Sequence, residues 1–371
     1  MKAILNFIKK EVVLGVSLVL ALVSMAFVPL DNKYIDYIDF HTLIILLSLM
    51  LVMAGLRSLG VFSMIGSWML KKTSNVRSLS IVLLLLCFGF SMLITNDVAL
   101  ITFVPFTIDV LLMAGMENYL IRIIVLETIA SNLGSMLTPI GNPQNLYLFS
   151  LSGMNLGNFI ALMLPYTLLS LLMLLVTSFI LIDRKAVEVK VESQSSLATK
   201  EKRKVLVYIL LFLLALTSVT RLVSVYLVGA VILLIILLMD RRMIGKADYA
   251  LLLTFIFLFI FIGNMKRIPE ISLWLNNVIH GRELITSVLA SQVISNVPAA
   301  ILLSGFTDNI ATLIIGVNIG GLGTIIASMA SLISFKYYGT TEGKRNGAYL
   351  GFFTLLNLIF LVMLLLFYYL I

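Results

Sequence analysis

Two short polar clusters interrupt long apolar stretches of the chain, and their side chains could bind an ion. The first cluster is Thr95-Asn96-Asp97 and the second is Ser295-Asn296-Val297-Pro298. Hydroxyl and amide oxygens coordinate cations, a carboxylate can hold a cation or a proton, and helix N-termini attract anions through their amides. We therefore expect both clusters to lie at the ends of broken helices, around a buried site for an ion or a small ionic substrate.

A second pair of helix-breaking segments follows the clusters. Thr138-Pro139-Ile140-Gly141-Asn142-Pro143 contains two prolines and a glycine, and proline stops a helix because it lacks an amide and clashes with the preceding turn. The corresponding segment, Thr324–Ser331, has no proline but is rich in small and hydroxyl residues. We expect an interrupted helix at both places. For Gly320-Gly321, which precedes the second segment, close packing of helices explains the glycines equally well.

These clusters must be positioned by membrane helices, because the composition excludes a soluble fold. Of 371 residues, 61% are hydrophobic and 12% are charged, whereas a soluble domain is about half apolar and a quarter charged. Uncharged stretches of roughly 15 to 25 residues can cross about 30 Å of hydrocarbon. The net charge of +8 reflects basic loops and indicates no nucleic-acid partner. We predict an all-α polytopic protein in contact with the lipid bilayer, with Cys87 buried.

The basic residues orient the predicted spans. With the N-terminus inside, 21 of the 26 lysines and arginines fall on the inner side, as the positive-inside rule requires. We therefore predict a protein of the cell (inner) membrane with a cytoplasmic N-terminus and an outside C-terminus. The first apolar run has full membrane length and no clear cleavage site, so we expect a retained span. The nine predicted spans are Val12–Leu30, His41–Arg57, Leu120–Ser150, Phe159–Ile182, Val205–Thr220, Leu222–Met239, Tyr249–Asn264, Asn309–Phe335 and Gly347–Ile371.

The chain is predicted to consist of two membrane repeats joined by a charged linker. The repeats are residues 1–182 and 205–371, and the cytoplasmic linker is 183–204. A constant offset of 186 aligns Ser131–Phe149 with Val317–Phe335, pairing Asn132 with Asn318 and Gly134 with Gly320. The two copies enter the membrane from opposite sides, an inverted-topology repeat typical of secondary transporters.

Each repeat is also predicted to contain a re-entrant hairpin. The apolar stretches Ser78–Ala114 and Leu284–Thr307 have their polar clusters near the middle. The residues between Asp97 and Asp109 make about 16 Å of helix, or half a membrane. A single proline-kinked span is the alternative for the second stretch. We favour the hairpin, because a full crossing would move the basic residues of segment 336–345 to the outer side.

Three acidic residues lie at predicted membrane depth, where ionisable side chains are costly and mark functional sites. Asp109 falls near the end of its hairpin, and we expect it to be solvated. Glu127 precedes Ser131 by one helical turn, and it either binds a proton or packs as a protonated carboxyl. Asp97 is a candidate sodium ligand or proton carrier, and the alternative is a cap on the following helix.

From Asp39 to its end, the chain resembles the ion transporter superfamily of divalent-anion/sodium symporters, citrate carriers, arsenite permeases and one class of sodium/proton antiporters. The resemblance is carried by the two polar clusters and by Gly134 through Asn145. It implies one cation site made of Thr95, Asn96, Asp97 and Gly141, and a second made of Ser295, Asn296 and Ala327. It also implies substrate contacts from Asn96, Asp97, Thr138, Pro139, Asn296, Val297, Pro298 and Thr324.

Two positions depart from the Ser-Asn-Thr motif that the divalent-anion branch carries at each hairpin tip. Asp97 and Val297 stand where that branch has threonine, and Asn-Asp is more similar to the arsenite and antiporter branches. Two charges 4 Å apart interact by about 4 kcal/mol at an effective dielectric of 20, so an ionised Asp97 would repel a dianion. We therefore expect Asp97 to pair with a bound cation or to take up a proton.

These features predict a secondary active transporter for a small inorganic or carboxylate anion, coupled to sodium or protons by alternating access. Arsenite permeation or sodium/proton exchange is the alternative, and a passive channel or a membrane enzyme is more remote. The sequence has no phosphate-binding loop, no H-E-x-x-H motif and only two histidines, which leaves little for enzyme or zinc chemistry. No cofactor is predicted apart from a sodium coupling ion, and dimerisation is left open.

Overall fold

The computed structural model of the chain describes residues 11–70, 73–186 and 199–371. These residues form α-helices joined by short turns and two 3₁₀ helices, Glu117–Tyr119 and Arg241–Lys246. The helices are α1 Val12–Met25, α2 Lys33–Asp36, α3 Phe40–Ser58, α4 Val61–Leu70, α5 Val76–Ile94, α6 Asn96–Met113, α7 Leu120–Ser135, α8 Pro143–Ser152, α9 Leu156–Leu181, α10 Thr199–Val219, α11 Val225–Asp240, α12 Tyr249–Lys266, α13 Pro269–Ile279, α14 Glu283–Ile294, α15 Asn296–Ser304, α16 Ile310–Ile319, α17 Met329–Tyr338 and α18 Asn346–Leu370.

Six of these helices are long and apolar enough to cross a membrane, by length and composition: α3, α5, α6, α9, α12 and α18. Their side chains explain this, because each has a window of high mean hydropathy with at most two charged residues. The prediction of an all-α membrane protein is therefore confirmed at this level. Cys87 is fully buried in α5, as expected.

Aspartates begin two of the long helices. The Asp39 side chain accepts a hydrogen bond from the Thr42 backbone amide at 3.0 Å, at the start of α3. The Asp248 side chain accepts one from the Leu251 amide at 2.9 Å, at the start of α12. An N-cap carboxylate satisfies one of the four amides that a helix leaves unpaired at its start. This capping places Asp248 at a helix end, close to the candidate site described below.

Two predicted spans are each divided into two helices. The predicted span Leu120–Ser150 consists of α7 and α8, and Asn309–Phe335 consists of α16 and the first part of α17. Asn142 caps α8 by accepting from the Asn145 amide at 2.9 Å. Pro143 follows as the first helical residue, where its missing amide costs nothing. Both interruptions overlap the segments that the sequence predicted, but each begins earlier: the first is residues 136–142, and the second is residues 320–328, before the predicted start at Thr324.

The two stretches predicted as hairpins are each two helices separated by a single residue, Thr95 or Ser295. The predicted arm length was wrong. The helix α6 continues to Met113, and its 18 residues make about 27 Å rather than half a membrane. Asp109 lies in the last turns of this helix and is exposed, as expected. Pro298 does not cause the second break, because it lies in the first turn of α15, after the break at Ser295.

Glycines allow the divided helices to pack closely on the hairpin arms. A Cβ atom on Gly134 of α7 would lie 2.2 Å from the Phe88 carbonyl oxygen of α5. A Cβ atom on Gly320, which follows α16, would lie 2.8 Å from the Ser291 hydroxyl of α14. Real Cβ atoms do not approach so closely, so only glycine fits at Gly134 without a shift of backbone. Close packing, the alternative left open for Gly320, is therefore observed.

The segment after α9 contacts the start of the first hairpin arm. The Arg77 side chain donates to the Ile182 carbonyl at 2.7 Å, and the Val76 amide donates to the Lys185 carbonyl at 2.9 Å. The central part of the predicted linker, residues 187–198, lies outside the described residues. Its last residues belong to α10, which begins at Thr199 rather than after residue 204.

Candidate functional site

The two hairpin tips have the same backbone geometry. Thr95 has φ 74° and ψ 147°, and Ser295 has φ 71° and ψ 155°. Such positive φ values are rare for residues with a side chain and mark strained, functionally constrained backbone. At the first tip the Asn96 amide donates to the Gly141 carbonyl, and at the second the Asn296 amide donates to the Ala327 carbonyl, both at 2.9 Å.

These contacts bring each polar cluster against the interrupted helix of its own half. Gly141 and Ala327 are related by the offset of 186 that aligns the two repeats. The predicted grouping of Thr95, Asn96 and Asp97 with Gly141, and of Ser295 and Asn296 with Ala327, is therefore the grouping that the structure brings together. Whether they bind ions stays a prediction.

The two threonines of the interrupted helices face the incoming hairpin arms. The Thr138 hydroxyl donates to the Met92 carbonyl at 2.5 Å, and the Thr324 hydroxyl donates to the Gln292 carbonyl at 3.1 Å. Each carbonyl belongs to the residue four positions before the tip asparagine. These hydroxyls therefore help hold the tips in place, while Pro139 is buried within the first interruption.

The first tip is held by side chains of α7 as well as by its backbone. The Ser131 hydroxyl donates to the Asn96 carbonyl at 2.9 Å. The Asn96 side-chain amide donates to the Asn132 oxygen at 3.2 Å, while its own oxygen accepts from the Asp97 backbone amide at 2.9 Å. Asn96 is 4% exposed, and so is its counterpart Asn296. Both asparagines are therefore buried polar groups placed at helix ends.

Hydrogen bonds also join the two halves of the chain beside the tips. The Asn142 amide donates to the Asn318 side-chain oxygen at 3.1 Å. In the opposite sense, the Ser328 hydroxyl donates to the Asn132 side-chain oxygen at 2.9 Å. The offset of 186 relates Asn142 to Ser328 and Asn132 to Asn318. The two contacts are therefore equivalent: in each, the N-cap residue of the helix after the interruption in one half donates to the asparagine before the interruption in the other half.

A cavity of about 150 Å³ lies against the first tip and the first interruption. Thr95, Asp97 and Asn142 form its polar floor, and α3 provides an apolar wall. Charged side chains from neighbouring helix ends complete the lining. The lining residues are Leu46, Leu49, Met50, Met53, Ala54, Arg57, Ile94, Thr95, Asp97, Val98, Ile101, Ile140, Asn142, Pro143, Leu146, Lys246, Asp248 and Leu251.

Asp97 brings a half-buried carboxylate to this cavity, in the first turn of α6. Its carboxylate accepts no hydrogen bond from the described residues, and Thr95 occupies the N-cap position. Thr95 lines the same cavity, while at this tip the Asn96 side-chain oxygen accepts from the Asp97 amide and the Gly141 carbonyl accepts from the Asn96 amide. Hard cations prefer oxygen ligands such as hydroxyl, carbonyl and carboxylate groups. The alternative was that the Asp97 side chain caps α6, but the Asp97 carboxylate accepts no hydrogen bond from a backbone amide of that helix.

The second tip has less space and no carboxylate of its own. A cavity of about 20 Å³ there is lined by Val297 and Pro298, together with Glu11 and Asp248. Burial raises the pKa of the Glu11 carboxyl above its usual value, and the nearby Asp248 carboxylate raises it further. The second tip therefore offers neutral hydroxyl, amide and carbonyl groups, and acidic groups approach it only from other helices.

Glu127 lies away from the cavity, in the packed interior of the first half. It is fully buried, and one carboxylate oxygen accepts from the Thr107 hydroxyl at 2.5 Å. The other oxygen has no hydrogen-bond partner among the described residues. Glu127 is one turn from Ser131, which holds the first tip. Both interpretations, proton binding and packing as a neutral acid, are compatible with this environment.

Sequence reasoning missed several residues of the site. Arg57, Lys246 and Asp248 line the cavity at the first tip, which is the larger of the two tip cavities and is called the larger cavity below, although the sequence did not assign them to the site. Their signal in the sequence was their position at helix ends on the same predicted side. Asn132 and Asn318 were recognised as repeat equivalents but not as the residues that connect the halves.

The chain matches the family model of the citrate transporters over residues 4–315. It is 35% identical over 329 residues to an uncharacterized transporter of Methanocaldococcus jannaschii, covering 88% of this chain and 89% of the relative. It is 34% identical over 319 residues to the inner membrane protein YbiR of Escherichia coli, covering 84% and 83%. A shorter match to the putative transporter arsB of Dictyostelium discoideum is 25% identical over 146 residues, covering 39% and 26%.

Proposed function

Because the chain belongs to the citrate transporter family, within the ion transporter superfamily, we propose that it moves a small inorganic or carboxylate anion across the cell membrane. In this proposal it is a secondary active transporter that works by alternating access, coupled to sodium or protons. The observation that carries the proposal is the matched pair of tips. Each tip asparagine donates its amide to a carbonyl of an interrupted helix at 2.9 Å, one in each half of the chain.

The proposal includes an inverted-topology repeat, residues 1–182 and 205–371, with the linker 183–204 between them and a re-entrant hairpin in each half. Alternating access requires two related halves that can rearrange around one site. Two equivalent hydrogen bonds between the halves support this arrangement: Asn142 donates to Asn318, and Ser328 donates to Asn132. Breaks at two tips and two interruptions also support it, because such backbone is tolerated at membrane depth only beside protein or a polar cavity.

An anion is the proposed substrate because four helix N-termini converge on the site. These are the starts of α6 and α15 at the tips, and of α8 and α17 after the interruptions. Unpaired amides and the positive dipole end favour negative charge at each N-terminus. Arg57 and Lys246 add positive charge to the cavity lining. Asp97 opposes an anion, so we assign it to the coupling cation, sodium or a proton.

Arsenite permeation and sodium/proton exchange are the second candidate. The observation that favours it is again Asp97, which places a carboxylate where a dicarboxylate carrier would have a neutral residue. The partial similarity to the putative transporter arsB points the same way.

We further propose that the protein lies in the inner membrane with its N-terminus in the cytoplasm and its C-terminus outside. The similarity to the inner membrane protein YbiR supports this location. In this orientation Arg57 and Lys246 lie on the cytoplasmic side, so the larger cavity would face the cytoplasm.

Purified protein in liposomes tests the function. Uptake of citrate, phosphate, sulfate and arsenite is measured under an imposed sodium gradient or pH gradient. We expect accumulation of an anion above its equilibrium level, driven by one of the two gradients. Accumulation of no anion under either gradient would overturn the anion proposal, and sodium-driven proton movement without anion uptake would favour the exchanger.

A further inference from the structure

Asn132 has a buried hydrogen-bond donor without a partner. The residue is 5% exposed, and its Nδ2 atom makes no hydrogen bond within the described residues. Its Oδ1 atom accepts twice, from the Asn96 amide at 3.2 Å and from the Ser328 hydroxyl at 2.9 Å. A buried donor without a partner loses the hydrogen bonds that it makes to water in the unfolded chain, so its presence in a polar network requires an explanation.

The orientation of this amide is fixed by its neighbours. Asn96 must use its oxygen to accept from the Asp97 backbone amide, at 2.9 Å. Its nitrogen is then the donor toward Asn132, which must present its oxygen in return. Rotating the Asn132 side chain by half a turn would set two donors against each other. The unpartnered atom is therefore the Nδ2 amide and not the oxygen.

The equivalent residue in the other half is fully paired. The Asn318 Nδ2 atom donates to the Asn145 side-chain oxygen at 2.6 Å and to the Ile314 carbonyl at 2.8 Å. Its oxygen accepts from Asn142. The repeat offset of 186 relates Asn145 to Ser331, a shorter side chain. Asn318 is satisfied by the long side chain of Asn145. At the equivalent position for Asn132 stands Ser331, whose side chain is shorter, and it forms no such hydrogen bond.

Ser331 is itself buried without a partner. The residue is fully buried, and its hydroxyl makes no hydrogen bond to the described residues. Its backbone amide donates to the Ser328 carbonyl at 3.1 Å, so Ser331 follows Ser328 by one turn in α17. Ser328 contacts Asn132 directly. By the repeat offset, Ser331 corresponds to Asn145, the residue that pairs with Asn318, and the helices α7 and α17 that carry Asn132 and Ser331 are in contact.

We propose that Asn132 and Ser331 bind one oxygen atom of the transported anion, at the junction of the two halves. This inference rests on the proposed transport function and adds a specific contact to it. An amide N–H and a hydroxyl both donate to an acceptor oxygen, whereas an amide N–H repels a metal cation. Because both groups are hydrogen-bond donors, we assign them to an oxygen of the substrate rather than to sodium. Asn96 and the start of α17 adjoin it, so the oxygen would touch elements of both halves.

The oxygen of a bound water could accept the same two hydrogen bonds. The variant Ser331→Asn distinguishes a water from an oxygen of the transported anion. The asparagine is long enough to pair with Asn132 as Asn145 pairs with Asn318. It therefore fills the position of the oxygen. We expect a folded protein whose thermal unfolding temperature in detergent is not lowered. We also expect at least a tenfold higher KM for whichever of citrate, phosphate, sulfate or arsenite the wild-type protein transports. An unchanged KM would mean that only water binds there, and would overturn the inference.

Asn132→Asp provides the second, isosteric variant. Its carboxylate can still accept from Asn96 and Ser328, but it presents an oxygen where the amide presented a donor. We expect loss of protection against thermal unfolding by the same anion, with folding retained. If the anion protected Asn132→Asp against thermal unfolding as strongly as it protects the wild-type protein, the assignment would be contradicted. These failures are distinct from failure of the proposed function, in which the wild-type protein transports none of the four anions.

Discussion

Asp97 contributes a carboxylate to the lining of the cavity at the first tip, in the first turn of α6. Its carboxylate accepts no hydrogen bond from the described residues, and it lines the cavity together with Thr95 and Asn142. Asp248 adds a second acid to the lining, but its carboxylate is engaged in capping α12. Of these two acids, Asp97 is the one free to change its partner during transport.

Asp97→Asn removes the charge and keeps the shape. Because the amide cannot hold a sodium ion by charge or carry a proton, we expect gradient-driven accumulation to fall about tenfold or more, equal to ~1.4 kcal/mol. The dependence of uptake on sodium or pH should flatten in the same variant. Liposome uptake across a sodium and pH series measures both. Asp109→Asn, an exposed acid on the same helix, is the matched control. If uptake by Asp97→Asn depended on sodium and pH as it does in the wild-type protein, Asp97 would have no role in coupling transport to a cation.

The two tip asparagines are expected to be separately required. Alanine at Asn96 removes the acceptor for the Asp97 amide and the donor to Asn132. Alanine at Asn296 removes a 4% exposed amide from the second tip. We predict that each variant loses gradient-driven uptake while remaining folded, as judged by monodisperse gel filtration in detergent. Asn158→Ala, an exposed asparagine at the start of α9, should behave as wild type. Full transport by either tip variant would contradict the site.

At the scale of the elements, close packing of α7 on α5 positions the first tip. The absence of a side chain at Gly134 permits this approach, because an added Cβ would lie 2.2 Å from the Phe88 carbonyl. Thr138 and Ser131 then reach the backbone of the hairpin. The tip is therefore positioned from both sides of the interruption, by α7 and by the segment that follows it.

Gly134→Ala should destabilise the protein, because the clash is with backbone and cannot be relieved by a rotamer change. Overpacking of this kind costs about 1–3 kcal/mol. Thermal unfolding in detergent measures the loss. The matched control is Gly89→Ala on α5, where an added Cβ meets no atom within 4 Å. There we expect a slight gain, since glycine inside a helix is about 0.5–1 kcal/mol less favourable than alanine. Equal stability of the two variants would contradict this account of the packing.

Basic side chains bind carbonyls at the C-terminal ends of α8 and α17, the half-helices that follow the two interruptions. The Arg221 guanidinium donates to the carbonyls of Phe149 and Ser150 at 3.3 and 2.8 Å, at the end of α8. The Lys344 ammonium donates to the Gly339 carbonyl, at the end of α17. Cations at helix C-termini offset the negative end of the dipole. Each half-helix thus has its N-terminus at the site and a cation at its far end.

Arg221→Gln removes the charge while keeping a hydrogen-bonding side chain. We expect a loss of about 0.3–1 kcal/mol, the usual contribution of a cation at a helix C-terminus. Arg242→Gln, on an exposed arginine, is the control. Thermal unfolding of the two variants at low salt measures the difference. A loss in Arg242→Gln as large as in Arg221→Gln would show that the position at the helix end is not the cause.

For the molecule as a whole, the orientation in the membrane decides which side the larger cavity faces. The predicted topology places the start of α9 outside and the 3₁₀ helix before α12 in the cytoplasm. In a Cys87→Ser background, we expect an impermeant thiol reagent on intact cells to label Asn158→Cys but not Arg242→Cys. The opposite pattern would invert the topology. Ser195, another residue predicted to be cytoplasmic, lies outside the described residues.

Several features of this protein could be predicted from the sequence because they are local. Hydropathy identifies four of the six long helices as spans, α3, α9, α12 and α18, and the aspartates at 39 and 248 stand at two of the helix starts. Proline and glycine between residues 138 and 143 identify an interruption. Each of these depends on residues within one or two turns of each other. Helix length was misjudged at Asp109, because a charged residue on a helix can be exposed without ending it.

Only the tertiary structure decided which groups meet. Asn96 pairs with Asn132 across 36 residues, and Asn132 pairs with Ser328 across 196. The cavity lining of Arg57, Lys246 and Asp248 also comes from helices distant in sequence. The repeat offset indicated equivalent residues, but it could not show that the Nδ2 atom of Asn318 has hydrogen-bond partners and that of Asn132 has none among the described residues. That difference depends on side-chain length at one packed contact, and packing distances are set by the assembled helices rather than by any single segment.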